Sequence, residues 1–388
     1  MAVYNGEPYM AAAIESVLRQ AYDNFEFVIV NDASTDRTAE LLQEFAVRDA
    51  RLVLITNVAN RGMAASLNRG LQTARGLYVA RQDADDISEP ERLAQQVAVL
   101  DKRPEVGLVS SWVNIIDADG QPMAMHQYPD NTGNAAIQAQ LLIANCICHG
   151  SVMFRRALLQ QAGNYDEHLE GTEDYDLWLR LAEITELDKV PLYLYRYRFH
   201  AASFSESRRP YQAWQQARTL EKTIARRYGP PPNPQRYRPV AKAFLMAAEI
   251  SQQRGAAGDF EDRLAHALLI CPELFAEPDT FVPLPPLPEG RQVLDRVFSQ
   301  LPATGQFRGL LRQLLAREHM RRVFAAAGSG DLAELRAHLW AGLYQDPRWL
   351  LNRGVWALAA RALLGRRVRR SPPAPVPTAS GAPSDKPR

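Results

Sequence analysis

The chain has 388 residues, 46% of them hydrophobic, which is enough to bury the cores of two domains. Its 45 basic and 44 acidic residues leave a net charge of +1, so there is no global field to draw in nucleic acid or repel a membrane, and any charge argument is local. Three cysteines without framework spacing suit a reducing compartment, and neither a leader-like N-terminus nor a membrane-length apolar run is seen; the expectation is a cytoplasmic protein, soluble or peripheral on the inner face of the membrane.

From Glu7 a helix is predicted, with Pro8 in its first turn and Met10, Ile14, Val17 and Leu18 at helical spacing. Phe25 to Val30 is a nearly continuous apolar strand. It runs into Asn31-Asp32-Ala33-Ser34-Thr35-Asp36, whose Ser34, Thr35 and Asp36 can cap a helix continuing through Leu41, Leu42 and Phe45. Leu52 to Thr56 reads as a strand, Ala64 to Ala74 as a helix and Gly76 to Gln82 as a third strand. Pro90 opens the next helix, so Asp83-Ala84-Asp85-Asp86 occupies the turn between. Strands alternating with helices predict an α/β fold with a mostly parallel sheet. No G-x-G-x-x-G follows a strand and no G-x-x-x-x-G-K-[ST] occurs, so dehydrogenase and P-loop readings lose their main support.

In an open α/β sheet the turn after such a strand overlooks the ligand crevice. Asp83 and Asp85 project from the same side of extended backbone, with Asp86 beside them, and converging carboxylates of this kind suit a hard divalent cation such as Mg²⁺ or Mn²⁺. Taken alone, the turn reads equally as a solvated helix cap. An EF-hand is excluded, because the twelfth position from Asp83 is Ala94. Asp32 can accept from a base N–H or a ribose hydroxyl, or serve as a helix cap. Glu173, Asp174 and Asp176 can likewise be no more than first-turn acids of the helix that carries Leu177, Arg180 and Leu181. Cys146 and Cys148 fall on one face if that stretch is a strand, and core packing outweighs zinc there.

The succession Val3-Tyr4-Asn5-Gly6-Glu7-Pro8-Tyr9, Asn31 to Asp36, Asp83-Ala84-Asp85-Asp86, His149 to Arg156, Gly163-Asn164-Tyr165-Asp166 and Glu173 to Arg180 resembles the landmarks of the family-2 glycosyltransferases, over about the first 205 residues. The resemblance implies the GT-A nucleotide-sugar fold, with a metal-dependent, inverting transfer from a nucleotide-diphosphate sugar, UDP-linked first, to a hydroxyl acceptor that is a glycan or lipid-linked. It implies donor contacts at Tyr4, Asp32, Asp83 and Arg61, the cation at Asp85 and Asp83, and Asp174 as catalytic base. Glu173, His149 and Trp178 would face the acceptor. Tyr195 to His200 resembles the strand closing such domains, from which His200 would reach the metal while Ser203 and Ser205 lie in a loop that folds over the donor. The setting it implies is bacterial surface-polysaccharide assembly. Relatives carry a first strand before the Val3-Tyr4-Asn5 landmark, and that strand is expected to be missing here. Two other readings stay open: a catalytically impaired interaction module, and a metal-dependent nucleotidyl or phosphoryl transferase, which would leave Glu173-Asp174 without a purpose.

Residues 206–370 are expected to form a helical accessory region, with helices over Tyr211 to Tyr228, Val240 to Gln253, Phe260 to Cys271, Phe307 to Ala326, Leu332 to Tyr344 and Trp349 to Leu364. A Pro-rich linker falls near 278–288, and residues 371–388 have the composition of a disordered tail. Trp349, Leu350, Val355, Trp356, Leu363 and Leu364, followed by Arg366, Arg367, Arg369 and Arg370, form either a face for an anionic membrane or a bundle helix with a solvated basic end.

Overall fold

The apolar run after Phe25 builds the centre of a three-stranded parallel sheet. β1 (Ala2–Val3) and β3 (Leu52–Thr56) flank β2 (Phe27–Asn31), with Ala2 paired to Val30 and Phe27 to Leu52. The first strand is therefore present as a two-residue stretch, and the Met1 amine extends its ladder by donating to Val28 O at 2.9 Å. α1 (Met10–Leu18) and α2 (Thr38–Arg48) pack on this sheet through Met10, Ile14, Leu42 and Phe45 against Val3, Phe27 and Ile29. The structure is a computed structural model that describes residues 1–123, 132–201, 203–231, 233–277, 280, 282, 284–285 and 289–364.

α3 (Met63–Thr73) leads to a second sheet of five strands in the order β4-β7-β6-β8-β5. These are β4 (Tyr78–Ala80), β5 (Ile87–Ser88), β6 (Val106–Ile116), β7 (Met153–Arg155) and β8 (Glu186–Arg198). β6 and β8 run parallel, while β4–β7, β6–β7 and β5–β8 are antiparallel. α4 (Arg92–Lys102), α5 (Asn134–Leu141), the short α6 (Leu159–Ala162) and α7 (Glu173–Leu181) surround it. Leu108, Phe154, Trp178 and Leu179 fill its core. Between the two sheets lies a cavity of about 720 Å³ lined by Phe27, Val28, Val30, Gly70, Val79 and Ala80. Cys146 and Cys148 are buried, but in irregular backbone before a 3-10 turn at His149–Ser151; no strand forms there.

The rest is helical: α8 (Phe204–Ser207), α9 (Arg209–Tyr228), α10 (Pro234–Gln253), α11 (Ala257–Ile270), α12 (Pro272–Ala276), α13 (Glu289–Ser299), α14 (Gly305–Ser329), α15 (Leu332–Gln345) and α16 (Arg353–Leu364). Gly229, at φ 85°, stops α9 in a conformation that suits glycine. Two compact units result, residues 1–284 with 295–302, and residues 285–294 with 303–388. The second has its own core of Met320, Val323, Leu335, Leu339, Val355 and Ala359. The Pro-rich span near 278–288 lies mostly outside the described residues; Arg366, Arg367, Arg369, Arg370 and the 371–388 tail lie wholly outside. No helix among the described residues is long and apolar enough to cross a membrane.

Candidate active site

β4 ends in the acidic turn, and each of its three carboxyls has a different environment. Asp83 Oδ1 lies 2.6 Å from Nη2 of the buried Arg81. Burial raises the Asp83 pKa, Arg81 opposes the rise and Asp85 adds to it. Asp86 is wholly buried. Its Oδ1 accepts from Arg198 N at 2.7 Å, and burial followed by repulsion from Asp85 and Asp83 holds its pKa well above the usual range, against the Arg198 N–H and the Tyr195 hydroxyl. Asp85 is the open one of the three, and its Oδ2 stands 3.1 Å from His200 Nε2. Tyr9 backs the His200 ring at 5.0 Å, and Arg198 both covers Tyr9 and donates to Asp85 O at 2.8 Å.

Arg92 forms the floor of the turn. It is 1% exposed, and no carboxylate forms an ion pair with it among the described residues. Its guanidinium donates instead to Ser88 Oγ (2.8 Å), Gln82 Oε1 (3.2 Å), Arg81 O (2.7 Å), Val152 O (3.1 Å) and Gln96 Oε1 (3.2 Å). Burial pulls its pKa down to about 10. Tyr195 lies over it at 5.0 Å, and the Tyr195 hydroxyl accepts from Asp83 N at 3.2 Å. Gly150 leaves room for both: a Cβ there would collide with the Tyr195 hydroxyl and lie 2.6 Å from Asp83 Oδ2.

At the end of β2, Asp32 is buried and already held. Its Oδ1 accepts from Asn57 Nδ2 (2.6 Å) and Arg61 N (2.9 Å), and its Oδ2 from Gly62 N (2.9 Å). It thus ties down the loop before α3, and the helix it serves is α3 rather than α2. Ala33, next in the chain, adopts φ 59°, a left-handed strain at a non-glycine residue. Asn5 Oδ1 accepts from Thr35 N at 2.8 Å and Gly6 N donates to Thr38 Oγ1 at 2.8 Å, so the Val3 to Pro8 segment is stitched to the Asn31 to Asp36 loop. Tyr4 stands 51% exposed beside this seam, and the Arg61 guanidinium lies 3.9 Å from Glu167.

α7 supplies the remaining acids. Asp176 is committed to Arg180 at 2.7 Å, which explains one first-turn acid structurally. Asp174 differs: its Oδ2 accepts from Asn145 Nδ2 at 3.0 Å and its Oδ1 from Tyr175 N at 2.6 Å. Burial first and the Glu173 charge second push its pKa up to about 7, against those two donors. Glu173 is itself raised by burial and leaves Oε2 unpartnered. His149 Nε2 faces Arg81 Nε (3.2 Å) and the Tyr165 hydroxyl (3.0 Å), and burial with Arg81 nearby keeps the ring neutral. Trp178 lies fully in the core with its edge toward His149 and its Nε1 unpartnered.

The fold therefore brings Asp83 and His149 together through Arg81, sets His200 against Asp85 and places Asp174 where it feels the Asp83 charge. Asp32 and Arg61 form a second group, and Tyr4 makes no polar contact with either. Sequence reasoning missed Arg81, Arg92, Asn145 and Asn57. The spacing of Arg92 and Gln96 on the buried side of α4, in step with Leu93 and Leu100, was a signal that polar groups were required inside.

This architecture, a three-stranded parallel sheet beside a five-stranded mixed one, matches S. aureus TarS 1-349, solved with UDP-GlcNAc, at a TM-score of 0.53 and 16% identity over 89% of this chain and 90% of that one. The likeness establishes the fold as that of the GT-A glycosyltransferases. Residues 1–162 match the model of Glycosyl transferase family 2. An uncharacterized glycosyltransferase of Methanocaldococcus jannaschii is 34% identical over 201 residues, which is 51% of this chain and 69% of that protein. One from Haemophilus influenzae is 33% identical over 208 residues, 51% of this chain and 63% of that protein. The chain belongs to glycosyl transferase family 2 and is a glycosyltransferase.

Proposed function

We propose that residues 1–205 catalyse transfer of a sugar from a nucleotide-diphosphate sugar to a hydroxyl of a glycan or lipid-linked acceptor, with inversion at the anomeric carbon, and that residues 206–370 are an accessory region. The observation that carries this is Asp174, a buried carboxyl with a pKa of about 7, held by Asn145 within range of the Asp83 and Asp85 turn. Near neutral pH such a group can take and hold a proton. The acceptor oxygen bonds to the anomeric carbon as its proton passes to Asp174. The bond from that carbon to the diphosphate breaks, and its electron pair leaves with the nucleoside diphosphate.

The donor set suits a divalent cation. Asp85 and His200 converge on one spot, one half-open to solvent, and Mg²⁺ or Mn²⁺ takes few protein ligands because substrate phosphates and water complete its shell. No cluster of three or more such ligands is preassembled among the described residues, in keeping with a shell completed by the donor. A cation held by Asp85 and His200 supplies positive charge to offset the departing diphosphate. Asp83, turned by Arg81, is left for a sugar or ribose hydroxyl. Asp32 contributes through the loop it holds, because both its oxygens already accept bonds from Asn57, Arg61 and Gly62.

UDP-sugars are the donors to try first, since the TarS neighbour binds UDP-GlcNAc. The test is incubation with UDP-sugars, Mn²⁺ and a panel of glycan and lipid-linked acceptors, followed by NMR of the product. The expected product carries the inverted configuration, and Asp174→Asn stops transfer while UDP still binds. Transfer undiminished in Asp174→Asn would overturn the assignment.

A further inference from the structure

The net charge of +1 conceals a division. Residues 303–364, which build α14, α15 and α16, carry nine arginines and four carboxylates, Glu318, Asp331, Glu334 and Asp346. Those carboxylates are largely spoken for: Glu318 pairs with Arg321, Glu334 with Arg322 and Asp346 with Arg348, while the Asp331 carboxylate caps α15. The surplus is cationic, and Arg308, Arg312, Arg336 and Arg353 are exposed.

The same small unit exposes large apolar side chains that its core does not use. Trp340 and Tyr344, one helical turn apart on α15, are 51% and 86% exposed, off the face that buries Leu335, Leu339 and Leu343. The chain then turns through a 3-10 segment, Pro347–Leu351, whose Leu351 is 85% exposed, into α16, whose Trp356 is 58% exposed. The Trp356 indole N–H donates to Leu350 O at 2.7 Å, so that ring is fixed against the turn. Burying such side chains in the unit's own core would be worth roughly 1.5–3 kcal/mol each, so their exposure is a cost that a partner would offset.

We infer that the α15 to α16 corner is a docking surface for an anionic lipid bilayer. Trp and Tyr favour the headgroup level, where an apolar ring can enter the membrane while its polar edge stays hydrated. The surplus arginines of the same unit, with Arg353 at the corner itself, add attraction to acidic lipids. No described helix can span a membrane, so the contact is interfacial. The charge complementarity favours a lipid surface over a second copy of this chain, whose corresponding unit would bring like charge to the contact. The inference extends the acceptor side of the proposed reaction to an acceptor that resides at a membrane, but its test needs neither donor nor turnover and so fails or succeeds apart from that reaction.

The experiment is co-sedimentation of the full chain with vesicles of phosphatidylcholine alone and of phosphatidylcholine with about one-third phosphatidylglycerol, across a salt series. Expected is binding to the anionic vesicles only, weakening as salt rises, with Trp fluorescence shifted blue and quenched by brominated lipid. The variant Trp340→Gln/Tyr344→Gln/Leu351→Gln/Trp356→Gln should bind about tenfold or more weakly with an unchanged circular dichroism spectrum. Arg308→Gln/Arg353→Gln, at two exposed positions, should lessen the salt dependence. Binding equal on neutral and anionic vesicles, no binding by the wild type, or full binding by the aromatic variant would each overturn the inference. So would a wild-type dimer that the aromatic variant dissolves without any vesicle binding, which would assign the corner to a second copy.

Discussion

His200 Nε2 stands 3.1 Å from Asp85 Oδ2, although 115 residues separate them in the chain. The contact exists because β5, beside the acidic turn, pairs with the end of β8, Ile87 opposite Arg196, so the residues after β8 return to the carboxylates. If the two side chains share a cation, Asp85→Ala and His200→Ala should each weaken Mn²⁺-dependent UDP binding about tenfold or more, and the double variant should lose little beyond the worse single. Additive losses in that double-mutant cycle would mean that they act separately.

Asp174 sets an acid limb. Its carboxyl must be ionised to accept a proton, so kcat/KM should rise with pH through a midpoint near the about 7 that burial and Glu173 impose. Glu173→Gln removes the second of these causes, and the midpoint should move to lower pH. The stability effect has the opposite sign. The folded pKa lies above the ordinary value of 3.8, so the native state holds this proton more tightly than the unfolded chain does, and stability falls as pH rises between those values. Asp174→Asn should therefore be inactive yet more stable than wild type at pH 8, by up to about 4 kcal/mol, and close to it at pH 4, as read by urea denaturation.

Arg92 stabilises the turn with hydrogen bonds and, among the described residues, no ion pair. Arg92→Met would take the guanidinium donors from Ser88 Oγ, Gln96 Oε1 and the Arg81 carbonyl inside the fold, while Gln82 Oε1 keeps the Ser88 hydroxyl and Val152 O keeps Arg81 N. The expected loss is about 3 kcal/mol in chemical denaturation, with UDP binding weakened in whatever protein remains folded. A loss under about 1 kcal/mol would show that water replaces the guanidinium.

Gly150 is a steric prediction. Its added methyl in Gly150→Ala meets the Tyr195 hydroxyl and Asp83 Oδ2, neither of which is the end of a freely moving chain. Loss of at least about 2 kcal/mol, or displacement of Asp83 seen as lost donor affinity, is expected from the melting curve and a UDP titration.

Much of this arrangement was legible from local pattern. The apolar runs gave β2 and β3, the latter with the same bounds, Leu52 to Thr56, and helical spacing gave α2, α3 and α9 to within a few residues. Boundaries slipped by a few residues: α1 begins at Met10, three residues after Glu7, whose N–H is bound by Asp36 of the neighbouring loop. What no local pattern encodes is pairing between distant segments. β6 and β8 lie side by side in parallel although β7 and α7 intervene in sequence, and that pairing carries Tyr195 onto Arg92 and Arg198 onto Asp86. The partners of Arg81 and the Asn145 bond to Asp174 depend on the same long-range packing, so the acids could be named from sequence but not their environments.

The most direct test of the central claim is calorimetric titration of UDP, with and without Mn²⁺, into the wild type and into Asp85→Ala. Binding that requires Mn²⁺ and disappears with the Asp85 carboxylate is the predicted result. Binding of equal strength in all arms, or tight Mn²⁺-dependent binding that survives Asp85→Ala, would contradict a donor site built on this turn.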